Sequence, residues 1–385
     1  MIVFSRTRWS GTCRPAAFAA ACAVAACSDG VLPVEGRSGL PVLSPAWRST
    51  NIASGLEGTI ASLDGRAFIA NGRRLRFINP SSGEELWSSD TNVVRLGVVE
   101  RFVASATRLV VMDLGVAVFD RATRQVLWRL PGSTWGPDVA GMANAIAATD
   151  LHVYLATDGG LVERRDAATG ALQWRITVPG PCPTICRPRA IAVAGDTLWV
   201  AGERRDDKRG DQALLLALDA ATGAVLWDGV DLGTVGFGPA ATLVDSLLVL
   251  HHEGSQQLVA FNVRRRTVQW RLNTPAPWAG PTDVKVEGQT IYASGGDQHV
   301  YAVSLTTGAV QWQTYIGGSQ LAIAICPDRI VSYGFVLHWL DKRTGKHLAY
   351  AVPDDGGLFH EGFAVVGDRV LAQTGRTVYA FACQV

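Results

Sequence analysis

The chain has 385 residues, of which 48% are hydrophobic and 18% charged, and its formal net charge at pH 7 is +1. This composition is typical of a folded globular protein and excludes a disordered chain, and the near-neutral charge gives no global basic field for nucleic acid. The 41 glycines indicate many tight turns, and 12 tryptophans stand against only three methionines.

Residues 1–26 have the pattern of a secretory signal peptide. Arg6, Arg8 and Arg14 precede an apolar run that extends from residue 15 to residue 26. This run is far shorter than the roughly 20 apolar residues that a membrane-spanning helix needs. We therefore expect residues 1–26 to be an export signal rather than a structural element.

A lipid attachment site is predicted at Cys27. Small residues precede this cysteine and resemble a bacterial lipobox, which implies cleavage before Cys27 and a diacylglycerol group on its sulfur. Cys22, after three alanines, is a weaker candidate, and an ordinary signal peptide cleaved nearby is the alternative. Residues 27–45 are rich in Gly, Pro and Ser and are expected to form a flexible tether.

A nine-residue motif recurs along the rest of the chain. Residues 166–174 read DAATGALQW and residues 219–227 read DAATGAVLW, so seven of nine positions are identical. Degenerate copies occupy 79–87, 120–128, 262–270, 304–312 and 341–349, and successive copies end 37 to 53 residues apart. A period of about forty residues is typical of a solenoid or a propeller.

The residues around each motif favour the propeller. Two short apolar or β-branched runs, separated by a glycine-rich turn, precede each motif and predict a β-hairpin. The first motif residue, Asp or Asn, can accept hydrogen bonds from nearby backbone amides, and Gly permits a positive φ. No capped helical periodicity intervenes, so each repeat is expected to be a three- to four-stranded antiparallel blade.

The tryptophan that ends most motifs is expected to pack between neighbouring blades. A large ring in this position would cover about 150–250 Å² of apolar surface. Stacking on a ligand is the alternative role, but recurrence in nearly every repeat favours packing. The predicted structural tryptophans are Trp47, Trp87, Trp128, Trp174, Trp227, Trp270 and Trp312.

The two ends of the chain are predicted to complete one blade together. Residues 367–385 contain a hairpin but no following motif, and Trp47 lies 40 residues before Trp87, one period early. An N-terminal strand at Trp47 would pair with this hairpin and close the ring, which removes open sheet edges. The prediction is an all-β, eight-bladed propeller over residues 46–385, or a seven-bladed one if 341–349 is a linker.

Three polar segments are candidate sites. Residues 251–253, His-His-Glu, align with a hairpin turn, and a metal site there would need a further ligand from elsewhere. The mixed-charge insertion at 203–211 is expected to be a solvated loop. Arg264, Arg265 and Arg266 replace the usual motif residues and form a local basic spot. If the protein docks a partner, these neighbouring loops are the expected place.

The cysteines suggest disulfides rather than a metal site. Cys182 and Cys186 are three residues apart, and no second Cys or His pair lies nearby to complete a metal site. In an exported protein a local Cys182–Cys186 disulfide bracing a proline-rich loop is the favoured interpretation. Cys326 and Cys383 are a second candidate pair across the last two blades, although the sequence does not give connectivity.

The repeated D-x-x-T-G-x-x-x-W pattern resembles the pyrroloquinoline-quinone-like (PQQ-like) β-propeller repeats. With a lipobox ahead of eight such repeats, the chain resembles the lipoproteins of outer-membrane β-barrel assembly in Gram-negative bacteria. The resemblance covers about residues 45–385 and implies a non-catalytic scaffold with envelope-protein partners. It also implies a lipid anchor at the periplasmic face of the outer membrane, and Ser28 after Cys27 fits that location. No nucleic acid partner is expected.

Two alternatives belong to other functional classes. The same repeats occur in quinoprotein dehydrogenases, which bind PQQ and calcium at the propeller axis, but this sequence lacks the adjacent cysteine pair of that family. No acidic cluster stands out in the predicted inner strands, although calcium needs several oxygen ligands, and no G-x-S-x-G segment occurs. No cofactor is therefore expected outside this alternative. The other alternative is a propeller that binds carbohydrate or another surface.

Overall fold

The chain was analysed as a computed structural model. The structure describes residues 4–5, 39–50, 58–71, 74–89, 101–112, 115–131, 143–157, 159–179, 185–206, 210–229, 237–252, 257–273, 281–295, 297–317, 322–334, 336–359, 361–375 and 377–385. Strands are the only regular elements in these ranges. None of the described residues belongs to a helix long and apolar enough to cross a membrane. The strands form eight antiparallel sheets, so the predicted eight-bladed propeller is confirmed.

Blades 1 to 4 follow one another along the chain, each with four strands in sequence order. Blade 1 contains β3 (Gly58–Leu63), β4 (Arg66–Asn71), β5 (Arg74–Ile78) and β6 (Glu85–Ser88). Blade 2 contains β7 (Arg101–Ala104), β8 (Arg108–Met112), β9 (Val116–Asp120) and β10 (Val126–Leu130). Blade 3 contains β11 (Ala143–Ala148), β12 (His152–Thr157), β13 (Leu161–Asp166) and β14 (Leu172–Thr177), and blade 4 contains β15 (Ile185–Ala194), β16 (Thr197–Asp206), β17 (Gly210–Asp219) and β18 (Val225–Asp228).

Blades 5 to 7 repeat this order, and blade 8 combines the two ends of the chain. Blade 5 contains β19 (Phe237–Val244), β20 (Leu247–His252), β21 (Gln257–Asn262) and β22 (Thr267–Asn273). Blade 6 contains β23 (Pro281–Glu287), β24 (Thr290–Gly295), β25 (His299–Ser304) and β26 (Val310–Tyr315). Blade 7 contains β27 (Ala322–Ile325), β28 (Arg329–Tyr333), β29 (Leu337–Asp341) and β30 (His347–Ala351), and blade 8 contains β31 (Glu361–Val366), β32 (Arg369–Gln373) and β33 (Val378–Ala382) with β2 (Trp47–Ser49).

The core lies between adjacent blades, so the middle strands are apolar on both faces. In β8, Leu109 and Val111 pack into a cluster with blade 1, whereas Val110 and Met112 pack into a cluster with blade 3. Successive side chains of a strand point to opposite faces of its sheet. A strand buried on both faces therefore has a continuous apolar sequence rather than an alternating one.

The ring closes as the sequence predicts. β2 pairs with β33 in the register Trp47↔Ala380, Arg48↔Tyr379 and Ser49↔Val378. The seven-bladed alternative is wrong, because residues 341–349 are not a linker: they connect β29 to β30 within blade 7.

The predictions for the N-terminal segments fall mostly outside the described residues. Residues 4–5 form β1 (Phe4–Ser5), which pairs with β7 at the inner edge of blade 2. The rest of the predicted signal peptide, Cys22, Cys27 and the tether up to residue 38 are not described. The signal peptide and the lipid site stay predictions.

Each of the seven motifs ends in a β-bulge in the outermost strand. In blade 3, Arg164 pairs with Trp174 and Arg165 pairs with Leu172, so Gln173 has no partner across the sheet. The same one-residue shift occurs in the third-to-fourth strand pair of every blade from 1 to 7. A bulge on an edge strand disrupts the template that another strand would need for pairing.

Candidate interaction surface

The motif forms a tight turn between the third and fourth strands. In blade 3, Asp166 Oδ1 accepts hydrogen bonds from the backbone amides of Ala168 (3.0 Å) and Thr169 (2.8 Å) and from Thr169 Oγ1 (2.9 Å). These bonds stabilise the charged carboxylate and lower the pKa of Asp166 below its usual value. The recurrent Asp and Thr thus serve the turn rather than a ligand.

The motif tryptophan joins one blade to the motif of the next. Trp128 of blade 2 donates from Nε1 to the carbonyl oxygen of Ala167 in blade 3 at 3.1 Å. A Cβ atom on Gly170 would lie 2.8 Å from the Trp128 ring, so only glycine allows this close approach. The same arrangement places Trp47 against Gly83, Trp174 against Gly223, Trp270 against Gly308 and Trp312 against Gly345.

Two copies of the motif replace the glycine with arginine. Arg124 and Arg266 adopt φ values of 62° and 57° at this position. The Arg124 guanidinium lies 4.8 Å from the ring centre of Phe77 and 5.7 Å from that of Trp87, so a cation–π contact takes the place of the glycine contact. Trp227 packs instead against Phe261 of blade 5, with 5.4 Å between ring centres.

Blade 7 exchanges the positions of its tryptophan and its small residue. In other blades the motif tryptophan of the outermost strand lies opposite a residue of the third strand, such as Ala302 opposite Trp312. In blade 7 the pair is Trp339 in the third strand and Ala349 in the fourth. Trp339 is fully buried and donates from Nε1 to Ala382 O of blade 8 at 3.2 Å. The repeat pattern of the sequence does not predict this exchange.

The largest departure from eightfold symmetry among the described residues is a long hairpin in blade 4. β16 and β17 pair over ten residues, from Thr197↔Asp219 to Asp206↔Gly210. The equivalent strands of the other blades pair over five or six residues. At about 3.3 Å per residue the hairpin projects roughly 13 Å beyond its neighbours. It points away from the end of the propeller that carries the motifs.

Two local features shape this projecting hairpin. β15 bulges between Pro188 and Ala190 while it pairs with β16. A Cβ atom on Gly202 would lie 2.0 Å from Arg187 O, so the bulge requires glycine at this point. Near its outer end, Cys186 of β15 lies opposite Arg204 and is buried, disulfide-bonded and bridged to Gly159 of blade 3. The hairpin is therefore braced by the neighbouring blade.

The hairpin presents polar and charged groups. Arg187 and Arg189 both donate to Glu203 Oε1, at 3.3 and 3.1 Å. Arg204 is almost fully buried and binds both oxygens of Asp228, at 2.5 and 3.3 Å. These charge-assisted hydrogen bonds hold the strands of blade 4 together.

Two sequence predictions in this region are corrected. The insertion at 203–211 is not simply a loop, because Glu203–Asp206 continue β16 and Gly210–Asp211 begin β17. His251 does not lie in an exposed turn: it is part of β20 and only 7% exposed, since this strand extends to residue 252. No three His, Cys, Asp or Glu side chains within the described ranges lie close enough to hold a metal ion.

One of the two predicted cysteine pairs is present among the described residues. Cys326 and Cys383 form a disulfide between blades 7 and 8, with 5.7 Å between their Cα atoms. Cys182 lies outside the described residues, so the Cys182–Cys186 pairing stays a prediction.

The described carboxylates of the inner strands do not fit a site for PQQ and calcium. Their carboxylates with described side chains are Asp283 and Glu287. Both Asp283 oxygens accept from Lys285 Nζ, at 2.9 and 3.0 Å, and Oδ2 also accepts from the Ile323 amide. Glu287 pairs with Lys342. These oxygens are used within the fold, and calcium would need several free ones.

Repeated motifs, closed topology and the tryptophan contacts define an eight-bladed propeller of PQQ-like repeats. The family model for the outer membrane protein assembly factor BamB matches residues 44–181, 112–230 and 187–330. The chain belongs to this family.

Individual relatives are distant but cover most of the chain. BamB of Yersinia pestis is 23% identical over 360 residues, which is 88% of this chain and 84% of that protein. The crystal structure of BamB from Moraxella catarrhalis covers 86% of this chain and 99% of its own, with a TM-score of 0.58 and 16% identity. The designed protein Ika8 reaches a TM-score of 0.66 at 15% identity, over 86% of this chain and 98% of its own. At such identities the structural matches support the fold alone.

Proposed function

We propose that this protein is a non-catalytic envelope lipoprotein that acts as a scaffold in outer-membrane protein assembly. Membership in the assembly-factor family is the observation that carries the proposal. Cys27 would hold the propeller at the periplasmic face of the outer membrane through its lipid. Other envelope proteins would be its partners.

The projecting hairpin of blade 4 is the surface that we assign to partner docking. A propeller with eight similar blades offers eight similar surfaces, and a specific partner needs a feature that distinguishes one of them. The hairpin supplies this feature on a rigid base, with Arg187 and Arg189 held beside Glu203. Binding elements on a rigid scaffold lose little entropy when a partner docks.

Site-specific crosslinking in cells tests this assignment. A photoreactive residue at Gln212, on the hairpin, should crosslink to a component of the outer-membrane assembly machinery. The same residue at Thr169, in the motif turn of blade 3, is the matched control and should give no such product. Equal crosslinking at both positions, or none from the hairpin, would refute the docking surface.

Lipid attachment is tested separately. Cys27→Ala should abolish labelling by a radioactive fatty acid and release the protein from the membrane fraction, because one sulfur carries the anchor. Cys22→Ala is the control and should leave both unchanged. Labelling that depends on Cys22 instead would move the anchor, and labelling that depends on neither would remove it.

A further inference from the structure

The end of the propeller that carries the motifs is electrically asymmetric. We call it the motif end; it comprises the turns between first and second strands and those between third and fourth strands. On blades 3 and 4 these turns carry Asp150, Asp166, Asp196 and Asp219 and no Lys or Arg of their own. Arg164 and Arg165 of β13 reach the turns through hydrogen bonds to Ala220 O, Ala221 O and Gly170 O, so four carboxylates face two cations here. This acidic arc covers two adjacent blades.

Blades 5 to 7 carry the opposite charge at the same end. Their turns contain the seven cations Arg264, Arg265, Arg266, Arg329, Lys342, Arg343 and Lys346, and the four carboxylates Asp245, Glu287, Asp328 and Asp341. We call this region the basic arc. Tryptophan contacts fix its three blades to one another, because Trp270 donates to Leu305 O and Trp312 donates to Lys342 O.

Only two of the seven cations are neutralised by neighbours that the structure describes. Arg329 pairs with Asp328 at 2.9 Å, and Lys342 pairs with Glu287. The other five are exposed and form no ion pair with any described residue: Arg264, Arg265, Arg266, Arg343 and Lys346. The Asp341 carboxylate, next to Arg343 in the same turn, accepts hydrogen bonds from Thr344.

The three consecutive arginines lie on a rigid turn. The amides of Arg264 and Arg265 donate to Asn262 Oδ1, at 3.1 and 2.9 Å, and the amide of Arg266 donates to Asn262 O. Arg266 stands where five other copies of the motif have glycine, at a φ of 57°. Repulsion among adjacent arginines and the unfavourable φ both cost stability, and an anionic ligand would offset the repulsion.

A cleft opens at the motif end within the basic arc. It lies between blades 6 and 7, has a volume of about 500 Å³ and is lined by the cations Arg329, Lys342 and Arg343 together with the carboxylates Asp328 and Asp341. Thr290 and Tyr292 of blade 6 form part of its wall. The arc therefore offers a concave surface as well as exposed cations to an anionic group.

The N-terminal segment enters the propeller beside the basic arc. Val42 forms a parallel bridge with Tyr350 in the outermost strand of blade 7, and Leu43 N donates to Tyr350 O at 2.8 Å. The outermost strand of blade 7, β30, begins at the motif turn and runs away from it. Because the bridge is parallel, the described residues just before Val42 lie toward the motif end of blade 7.

We propose that the basic arc docks on a bilayer surface through anionic phosphate headgroups. Cys27 precedes Gly39, the first described residue of this segment, by 12 residues. An extended chain of that length spans at most about 40 Å, so an anchored propeller stays near the bilayer and receives its chain on the side of the basic arc. This step rests on the lipid anchor at Cys27 that belongs to the proposed function. Basic residues close to an anionic membrane strengthen the hold of a single lipid anchor.

Vesicle sedimentation with an unacylated chain tests the arc independently of the anchor. A chain that begins at Ser28 contains every strand of the eight blades, from β2 to β33, and so retains a complete ring. It should sediment with vesicles of equimolar phosphatidylglycerol and phosphatidylcholine, but not with phosphatidylcholine alone. Binding should weaken as salt is raised, since salt screens exposed charges.

Paired variants locate the binding. Arg264→Gln/Arg265→Gln should lower the partition coefficient about tenfold, because each basic residue at an anionic surface strengthens binding several-fold. Arg66→Gln/Arg74→Gln removes the same charge from exposed positions of blade 1 and should change it less than about twofold. No binding to the anionic vesicles, or equal losses in the two variants, would overturn the proposal.

The remaining outcome separates membrane from protein. If Arg264→Gln/Arg265→Gln binds vesicles as the unaltered chain does but loses a crosslink to an acidic protein, the arc binds that protein and the membrane proposal is wrong. None of these results bears on the hairpin of blade 4, so the crosslinking at Gln212 succeeds or fails on its own.

Discussion

The interface of blades 3 and 4 keeps the recurrent indole contact, whereas the interface of blades 7 and 8 replaces it with three different devices. Trp174 lies against Gly223 and donates to Ala220 O at 3.2 Å. Blade 8 has no motif that could receive such a ring. Its interface with blade 7 contains Trp339 from a third strand, the Cys326–Cys383 disulfide and Leu43 of the N-terminal segment.

This difference follows from the make-up of blade 8, in which β2 rather than a strand after β33 forms the outer edge. Blade 8 ends its hairpin at β33, so the turn that elsewhere receives an indole is absent there and Cys383 stands near the site. On its other side the blade keeps the usual contact, since Trp47 donates to Pro80 O at 2.8 Å. The interface between blades 7 and 8 is thus different, while the interface between blades 8 and 1 keeps the usual indole contact.

The largest expected effect comes from removing the relocated indole. Trp339→Ala should lower the free energy of unfolding by about 4 to 5 kcal/mol, because a fully buried ring leaves a cavity. Adding Ala349→Trp should recover part of this loss, since it restores the arrangement of the other blades. Urea unfolding of the two variants measures both effects. If Ala349→Trp lowers the stability of the Trp339→Ala variant further, the two positions are not equivalent.

Removing the disulfide should have an effect nearly as large. Cys326→Ala/Cys383→Ala opens a loop of 57 residues, and chain entropy then predicts a loss of about 4 kcal/mol. Urea unfolding without reductant gives the value. An unchanged midpoint would show that Trp339 and Leu43 hold the interface without help from the covalent bond.

A smaller loss is expected where an indole meets glycine. Gly345→Ala would place its Cβ atom 2.5 Å from Trp312 at a φ of 72°, and overpacking with backbone strain should cost about 2 to 3 kcal/mol. Gly195→Ala is the control, because its φ is 57° but its Cβ atom would meet open space. Thermal unfolding of the two variants separates the cost of crowding against the indole from the cost of the positive φ. Equal losses of stability in the two variants would argue against the indole contact.

Acid should weaken both kinds of interface by a modest amount. Hydrogen bonds from Thr222 lower the pKa of Asp219 in the motif, and a hydrogen bond from Tyr379 lowers that of Asp354 at the blade 7–8 interface. A carboxyl with a lowered pKa stabilises the fold above its ordinary value of 3.8, and this contribution is lost as the pH falls through the folded pKa.

Unfolding curves between about pH 5 and pH 3 test this point, since the ordinary pKa of Asp lies within that range. Asp219→Asn and Asp354→Asn should each make the decline of stability with falling pH shallower than in the unaltered chain. A decline as steep in both variants would assign the acid sensitivity to other carboxyls.

Most of the fold was predictable because its determinants recur. One motif occurs in seven copies and carries an Asp, Asn or Ser for the turn and, in most copies, a Gly for the close approach and a Trp for the contact. Its periodicity was enough to predict the blades and the closing strand. The exchange of Trp339 with Ala349 was not predictable in this way. The two residues are ten positions apart in sequence and become neighbours only through strand register.

The candidate surface was harder to predict, for a related reason. The charged residues at 203–211 have no apolar alternation, and their strand conformation is set by pairing between β15, β16 and β17 rather than by propensity. The basic spot at Arg264–Arg266 was visible in the sequence. Its relation to Arg343, Lys346 and the entering N-terminal segment depends on the ring, which brings distant turns to one end.

The pairing of β2 with β33 also sets the order of events during biogenesis. Trp47 and Ala380 are partners across 333 residues of chain, so the strand that is synthesised early must wait for one that is synthesised much later. Until then blade 8 lacks its outer strand, and a product truncated before residue 378 can never complete it. Proteases would meet such fragments as open rings, and only chains that include β33 would close the ring.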